Sequence, residues 1–377
     1  MPLELLTPTI ESKSRDKFQK YIELHESIIN KNENETKRIT FCVTCGAGYG
    51  NKVYTLISSL VIAILTDTAF IIEWPQAQKY FNPSLYKSLS KNYHINQLNY
   101  AHSTNLIIEA MSKNDWEYEK KISELINKNL PFGHDRYQYG DCRALFFTLC
   151  ANSNYFKKFL DYDLVNADII EKANEALQVN NNLTESEKID RLYSVGFEVG
   201  SNLMNKVWLL ETNFKNYINK FYDENFKNFY VIGMQFRFEY IDDKDVFKFI
   251  DCANYLVELN SVSRSVKWFI TADKERVFDI LKNNSGILIK GEGLLGHIFY
   301  DNENSYSRSI MDNELLARSD EMIISGGSTF GFVSAMRKHL LPYYVEGRRE
   351  KDIGSDKPCR RMTFNRGPRT YHGISLI

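Results

Sequence analysis

The chain has 377 residues and a mass of 44.0 kDa, which is too long for one ordinary hydrophobic core and favours two α/β domains with a cleft between them. Its formal net charge of −1 at pH 7 gives no overall field that would attract DNA, RNA or an anionic membrane. No nucleic-acid partner is therefore expected, and any phosphate must be bound by local groups. Six cysteines are too few for a disulfide scaffold in a chain of this length but leave room for one or two bridges. We see no run of about 18 apolar residues and expect no membrane segment.

The first part of the chain predicts a helical lead-in over residues 1–37, followed by a strand, a helix and a second strand. A β-rich run at 38–45 ends in a turn that contains three glycines. An apolar helical segment covers 52–65, and a second β-rich run covers 69–74. This order predicts a βαβ unit with the glycine turn at the carboxyl end of its first strand.

The rest of the chain predicts a helical region and then a second α/β unit. Residues 82–227 are mostly helical in pattern, and Thr184 with Glu187 predicts a capping box at the start of one helix. Strands and helices then alternate at the spacing of a doubly wound parallel sheet. The predicted strands are 228–238, 266–273, 287–289 and 321–325, and the predicted helices are 245–258, 274–282, 312–318 and 329–339.

The glycine turn lies where a strand becomes a helix, so its glycines would let a ligand approach backbone N–H groups at a helix N-terminus. Its candidate ligand-binding residues are Gly46, Gly48, Tyr49, Gly50 and Asn51. The dinucleotide pattern GxGxxG fails, because its third glycine would fall on Asn51, and no P-loop lysine follows. The alternative is a tight turn that binds nothing.

Gln235 and Arg237 are two apart on a predicted strand, so their side chains share one face near its carboxyl end. Arg237 interrupts a run that is otherwise typical of a buried strand, and a guanidinium there needs an anion. Its fork of N–H donors suits a diphosphate, and the alternative is a structural salt bridge.

Two further groups end strands on the same edge of the predicted sheet. Asp273 could accept the paired N–H donors of guanine, or it could cap the helix predicted from residue 274. Ser328, Thr329 and Phe330 follow a glycine hinge at a helix start, where hydroxyls and free N–H groups meet the positive end of the helix dipole. The alternative is that Ser328 or Thr329 serves only as an N-cap.

No metal site is expected from the sequence. Residues 242–245 contain a formal DxD, which holds a divalent metal in many glycosyltransferases, but its charged surroundings are typical of a solvated cap. The seven histidines show no HxxxH or HxH spacing.

Several of these segments, in this order, resemble the GDP-fucose-dependent fucosyltransferase superfamily, which includes plant xyloglucan, rhizobial nodulation, α1,6- and protein O-fucosyltransferases. The likeness is greatest to the xyloglucan type and spans about residues 40–345. The matching segments are YGNK at 49–52, AILTD at 63–67, VGSNL at 199–203, GMQFR at 233–237 and STFG at 328–331. Lys52 stands where the superfamily usually has arginine.

The resemblance implies a GT-B fold, in which two Rossmann-like domains face each other across a cleft. It divides the chain into a lead-in at 1–37, an acceptor-side domain at 38–225 and a GDP-fucose-binding domain at 226–377. It also implies inverting transfer of L-fucose from GDP-β-L-fucose to a glycan hydroxyl, without a cofactor or a required metal. Arg237 would neutralise the departing GDP, assisted by Ser328, Thr329 and the N–H groups around Phe330.

The general base and the acceptor stay open at this point. Glu73, Asp135 and Asp141 lie where a base could be, but no motif supports any of them. The alternative functions are a GT-B transferase of another nucleotide sugar and a non-catalytic binder of nucleotide sugars or carbohydrates. We expect a cytoplasmic location if the chain is complete, and the Golgi lumen if a membrane anchor has been removed.

Overall fold

The computed structural model of the chain describes residues 17–31, 38–43, 47–82, 84–85, 136–139, 144–178, 182–293, 295, 303–346 and 358–364. The strands in these ranges form two separate sheets, one of three strands and one of six. Helices cover both sheets, so the predicted α/β class is confirmed.

The first sheet is parallel, with the strand order β2-β1-β3. Helix α2 connects β1 to β2, so the predicted βαβ unit is confirmed, with the glycine turn after the first strand. The helix ends at Asp67, which adopts the left-handed conformation with φ 52°. The strands are β1 (Ile39–Val43), β2 (Ala69–Glu73) and β3 (Arg136–Tyr139), and the connecting helix is α2 (Tyr49–Thr66).

Helix α2 belongs to the main hydrophobic core and is buried on nearly all sides. By length and composition this helix could cross a membrane. From the sequence we did not expect such a helix, because we found no run of about 18 apolar residues. Inside this protein, 89% of the helix is buried, as is typical of the core helix of a globular domain.

The remaining helices around the first sheet come before β1 and after β3. The predicted capping box is confirmed, because the Thr184 hydroxyl accepts from the backbone N–H of Glu187 while the Glu187 carboxylate accepts from that of Thr184. These helices are α1 (Gln19–Ile29), α3 (Leu145–Cys150), α4 (Phe156–Asp161), α5 (Ala167–Leu177), α6 (Glu185–Val207) and α7 (Thr212–Asn225), with 3₁₀ turns at Pro75–Lys79 and Ser153–Tyr155.

The second sheet has the order β6-β5-β4-β7-β8-β9, and its pairs are parallel except for β8 with β9. It begins shortly after the predicted domain boundary at 225, which stays a prediction. Its strands are β4 (Tyr230–Phe236), β5 (Val266–Ala272), β6 (Leu288–Lys290), β7 (Glu321–Ser325), β8 (Tyr343–Val345) and β9 (Arg360–Arg361). Its helices are α8 (Asp245–Leu259), α9 (Arg276–Ile280), α10 (Glu303–Ala317) and α11 (Thr329–Lys338), with a 3₁₀ turn at Lys282–Ile287.

Two sequence predictions in this half were wrong in detail. Helix α10 begins nine residues before the predicted start at Asp312, because Arg308, Asp312 and Asn313 are polar residues on its buried side and hide the apolar period. The predicted helix at 274–282 is shorter and continues as a 3₁₀ turn.

A disulfide joins Cys252 of α8 to Cys359, the residue before β9, with a Cα–Cα distance of 5.4 Å. It closes a loop with a sequence separation of 107 residues and holds the last described segment on the second sheet. Next to β9, Met362 is buried in the main core. The bridge agrees with the expectation that the cysteine content leaves room for one or two disulfides.

Candidate active site

A pocket lies between the carboxyl ends of β4 and β5 and the N-termini of α2 and α11. The empty space that it encloses is about 770 Å³, including the part that is open to solvent. The pocket is lined by Gly48, Tyr49, Gly50, Asn51, Gln235, Arg237, Tyr240, Thr271, Ala272, Asp273, Leu295, Arg308, Ser309, Asp312, Ser328, Thr329 and Phe330.

The structure brings the predicted site residues of both halves together in this pocket. Gly46 lies outside the described residues, and every other predicted site residue is part of the lining. Segments separated by almost 280 residues in the sequence therefore meet at one place. What each residue binds there stays a prediction.

Two helix N-termini point toward the same pocket. Gly48 is the N-cap residue of α2, and Ser328 is the N-cap residue of α11. Neither residue makes a side-chain capping hydrogen bond, although Ser328 occupies the capping position. The partial positive charges of both helix dipoles therefore favour an anion in the pocket.

The two N-termini are in direct contact at Gly50. A Cβ atom added to Gly50 would lie 2.5 Å from the carbonyl carbon of Thr329 and 2.7 Å from the backbone nitrogen of Phe330. Real Cβ atoms do not approach backbone so closely, so only glycine allows this approach of α2 to α11. The glycine turn is thus required for packing the two halves, whether or not it also contacts a ligand.

The strand ends hold the backbone of Arg237 in place. Its N–H donates to the Ser325 hydroxyl at 2.9 Å, and that hydroxyl donates to the carbonyl of Gln235 at 3.0 Å. Because Ser325 ends β7, this pair of hydrogen bonds locks the end of β4 to the neighbouring strand. The Arg237 side chain then extends into the pocket and is 22% exposed.

Two carboxylates bind the Arg237 guanidinium. Nη1 donates to Asp273 Oδ2 at 3.0 Å, and Nη2 donates to Glu239 Oε2 at 2.7 Å. The salt-bridge alternative from the sequence is therefore realised, and Glu239 is a partner that sequence reasoning missed. No motif marks Glu239, but its position two residues after the arginine could have suggested it.

The Asp273 carboxylate is occupied on both oxygens. Oδ1 accepts from the backbone N–H of Phe238 at 3.0 Å, and Oδ2 accepts from Arg237. The alternative that Asp273 caps the following helix is wrong, because the N-cap residue of α9 is Glu275. Asp273 lies where it can orient Arg237, and its predicted contact with guanine stays a prediction.

Aromatic rings form the wall between the two helix N-termini. The Tyr49 ring lies 6.1 Å from the ring of Phe330 and 6.1 Å from that of Trp74. Burial raises the pKa of the Tyr49 hydroxyl to about 12, so this wall stays neutral at physiological pH. The Lys52 ammonium lies 5.9 Å from the centre of the Trp74 ring, in the range of a cation–π contact.

A buried ion pair on α10 forms another part of the pocket, and sequence reasoning missed it. Arg308 Nε donates to Asp312 Oδ1 at 2.6 Å, and Arg308 Nη1 donates to the carbonyls of Gly291 and Gly293. Burial raises the pKa of the Asp312 carboxyl to about 6, against the opposing effect of Arg308. The spacing of four residues on one helix would have been the signal, but the predicted helix began only at Asp312.

Three buried polar atoms in the pocket lining have no hydrogen-bond partner among the described residues. They are Arg308 Nη2, Gln235 Oε1 and Asn51 Oδ1. Buried polar groups in folded proteins are nearly always hydrogen-bonded, so one donor and two acceptors here fit a polar ligand.

The remaining predictions concern metals and the general base. Within the described ranges, no group of three or more His, Cys, Asp or Glu side chains could hold a metal ion. In the DxD segment, Asp245 is buried, and its carboxylate accepts from the backbone N–H of Asp242 at 2.8 Å. The side chain of Glu73 and both Asp135 and Asp141 lie outside the described residues.

The sequence matches no protein-family model, and no curated protein is significantly similar to it. Solved structures with a similar fold do exist. An Arabidopsis thaliana FUT1 mutant in complex with GDP has a TM-score of 0.56 at 12% identity, with 93% of this chain and 79% of that chain covered. Fucosyltransferase NodZ from Bradyrhizobium has a TM-score of 0.51 at 15% identity, with 87% of this chain and 99% of that chain covered. The chain therefore has the GT-B fold of these fucosyltransferases, as the sequence predicts.

Proposed function

We propose that the protein is a fucosyltransferase that transfers L-fucose from GDP-β-L-fucose to a hydroxyl of a glycan, with inversion at the sugar carbon. The observation that carries this proposal is the pocket in which Arg237 and two helix N-termini converge, in a chain with the fold of known fucosyltransferases. One of those fucosyltransferase structures is a complex with GDP.

The diphosphate of the donor would occupy the part of the pocket between Arg237 and the start of α11. A guanidinium binds two phosphate oxygens with one rigid fork, while the Ser328 and Thr329 region adds hydroxyls and backbone N–H groups. Because these groups are fixed before the reaction, they would stabilise the negative charge that grows on GDP as the glycosidic bond breaks.

The nucleobase would lie against the buried pair of Arg308 and Asp312 and not against Asp273, because Arg237 and Phe238 already engage both oxygens of the Asp273 carboxylate. Guanine presents N–H donors at N1 and N2 beside the O6 acceptor, so a carboxylate and a guanidinium side by side match its edge. Arg308 Nη2 is a buried donor without a described partner, which fits the O6 acceptor. Uracil lacks this arrangement, so the pair favours GDP over UDP.

The reaction is a single displacement in this proposal. The acceptor oxygen forms a bond to C1 of fucose, the bond from C1 to the β-phosphate oxygen breaks, and GDP leaves with the electron pair. The acceptor hydroxyl gives up its proton as the new bond forms, and no residue is assigned as its base. Arg237 is the residue that would contact the leaving group throughout.

The acceptor would be an oligosaccharide or glycoconjugate that enters from the side of the first sheet. No resident cofactor is proposed, and no metal ion is assigned a step.

The test is release of GDP from GDP-fucose in the presence of a panel of glycan acceptors, with GDP-mannose and UDP-sugars as competing donors. Arg237→Ala should reduce turnover by about 100-fold or more, the usual effect of removing a group that stabilises a developing anion. Arg264→Ala is the matched control, because Arg264 pairs with Asp320 at the amino-terminal ends of strands of the same sheet, whereas the pocket lies at the carboxyl ends. Turnover with a UDP-sugar alone would contradict the assigned donor, and GDP binding without turnover on any acceptor would favour a non-catalytic binder.

A further inference from the structure

Asn313 joins helix α10 to the first turn of α11. Its Nδ2 atom donates to the carbonyl of Phe330 at 3.0 Å and to the Ser334 hydroxyl at 2.6 Å, and the side chain is fully buried. The Ser334 hydroxyl in turn donates to the same Phe330 carbonyl at 3.3 Å. Because a carbonyl oxygen can only accept, this contact requires the amide nitrogen of Asn313 to face Phe330. The first turn of α11 is therefore held by a donor that belongs to another helix.

The next residue of α10 holds the other end of α11. Glu314 Oε1 lies 2.7 Å from Arg337 Nε, and both side chains are only 9% exposed. Arg337 belongs to the last turn of α11. Helix α11 is thus held by α10 at both of its ends, so it cannot slide along α10 without breaking one of these contacts.

Helix α10 also carries the buried pair that the proposed function assigns to the nucleobase. Asp312 directly precedes Asn313 in the chain, and Arg308 lies four residues before Asp312. Arg308 and Asp312 line the pocket, as does Phe330 at the start of α11. One helix therefore builds the wall for the base and, through the next side chain, holds the wall for the diphosphate.

From this geometry we infer that Asn313 is a positioning residue. It fixes the N–H groups at the start of α11 at the distance from Asp312 that a guanosine diphosphate spans. Asn313 acts through the first turn of α11 and is not part of the pocket lining. The inference rests on the proposed function, because it takes Arg308 and Asp312 as the base wall and the start of α11 as the diphosphate wall.

The two parts of the nucleotide should respond differently to the loss of this amide. In Asn313→Ala the start of α11 is no longer held to α10, so GDP must restore its position on binding. Loss of one buried hydrogen bond changes an equilibrium constant by about two- to tenfold, and the Kd of GDP should rise by about this factor. Guanosine reaches only the base wall, so its Kd should not change.

The test is a calorimetric titration of the wild-type chain, Asn313→Ala and Asn225→Ala with GDP and, separately, with guanosine. Asn225 is the matched control, because its amide also donates to a backbone carbonyl, that of Phe221 at 2.9 Å, and it does not line the pocket. Weaker binding of GDP in Asn313→Ala alone, with guanosine binding as in the wild type, is the expected result.

Asn313→Ser gives the same comparison if the alanine variant does not fold, because the serine hydroxyl ends one bond short of the amide nitrogen. Wild-type affinity for GDP in a folded Asn313 variant would overturn the inference. An equal loss for GDP and guanosine, or the same loss in Asn225→Ala, would show a general loosening of the protein and would also overturn it. Absence of GDP binding by the wild-type chain would instead overturn the proposed function, and the inference with it.

Discussion

Gly50 is the point at which the two halves of the site touch, so adding one methyl group there should separate them. In Gly50→Ala the new Cβ would lie 2.5 Å from the Thr329 carbonyl carbon, whereas unstrained carbon contacts are about 3.5–4.0 Å. The facing atoms are backbone and cannot rotate away, so α2 and α11 must move apart by about 1 Å. We expect α11 to shift relative to Arg237.

The change in the free energy of unfolding that Gly50→Ala causes is a balance of two effects. Alanine in a helix is favoured over glycine by up to about 1 kcal/mol, while overpacking of a tight contact costs about 1–3 kcal/mol. The expected result is a net loss of about 1–2 kcal/mol in the free energy of unfolding. A shift of about 1 Å in catalytic groups can reduce rates by about 100-fold. We therefore expect the rate of fucosyl transfer to fall by up to about 100-fold, although the protein stays folded.

Urea unfolding measures the stability, a fucosyl-transfer assay measures the rate, and a GDP titration measures the affinity of the site in the same protein. Gly286→Ala is the matched control, because a Cβ at Gly286 would meet nothing within 4 Å, and its stability should change by less than about 0.5 kcal/mol. Wild-type stability together with wild-type GDP affinity in Gly50→Ala would refute the claim that this contact sets the distance between the two N-termini.

Since the pKa of Asp312 is raised to about 6 and guanine needs its ionised form, guanosine should bind more tightly as pH rises through about 6, and Asp312→Asn should abolish this dependence in a calorimetric titration. Removal of the Cys252–Cys359 bridge in the double serine variant should lower the free energy of unfolding, measured in urea, by about 2–4 kcal/mol. The hydrogen bond to Glu198 raises the pKa of His339, so this pair stabilises the fold below the unfolded-state value of about 6.5 and the contribution disappears as pH rises through the folded-state pKa. The stability lost in Glu198→Gln should accordingly be larger at pH 6 than at pH 9 in thermal unfolding, and an equal loss at both values would contradict the assignment.

The sequence predicts those parts of the fold and of the pocket that depend on local pattern. Apolar runs and turn residues are enough to find the βαβ unit, the strand that carries Arg237 and the helix that starts after Ser328. All of these elements have ordinary periodicity, and their ligand-facing residues come at strand ends or helix starts.

The parts that sequence reasoning missed depend on contacts between distant or buried polar groups. Arg308 and Asp312 neutralise each other inside the protein, so their burial contradicts the usual expectation for charged residues. Glu239 meets Arg237 through a turn whose geometry has no single sequence signature. The contact of Gly50 with α11 is set by tertiary packing, which pattern alone does not give.

We propose that the pocket recognises GDP, with the diphosphate on Arg237 and the base on Asp312. The most direct test is a calorimetric titration of the protein with GDP and, separately, with UDP. We expect one site per chain that binds GDP at least about tenfold more tightly than UDP, a difference of about 1.4 kcal/mol. Equal affinity for the two nucleotides, or no binding of GDP at near-millimolar concentration, would contradict it.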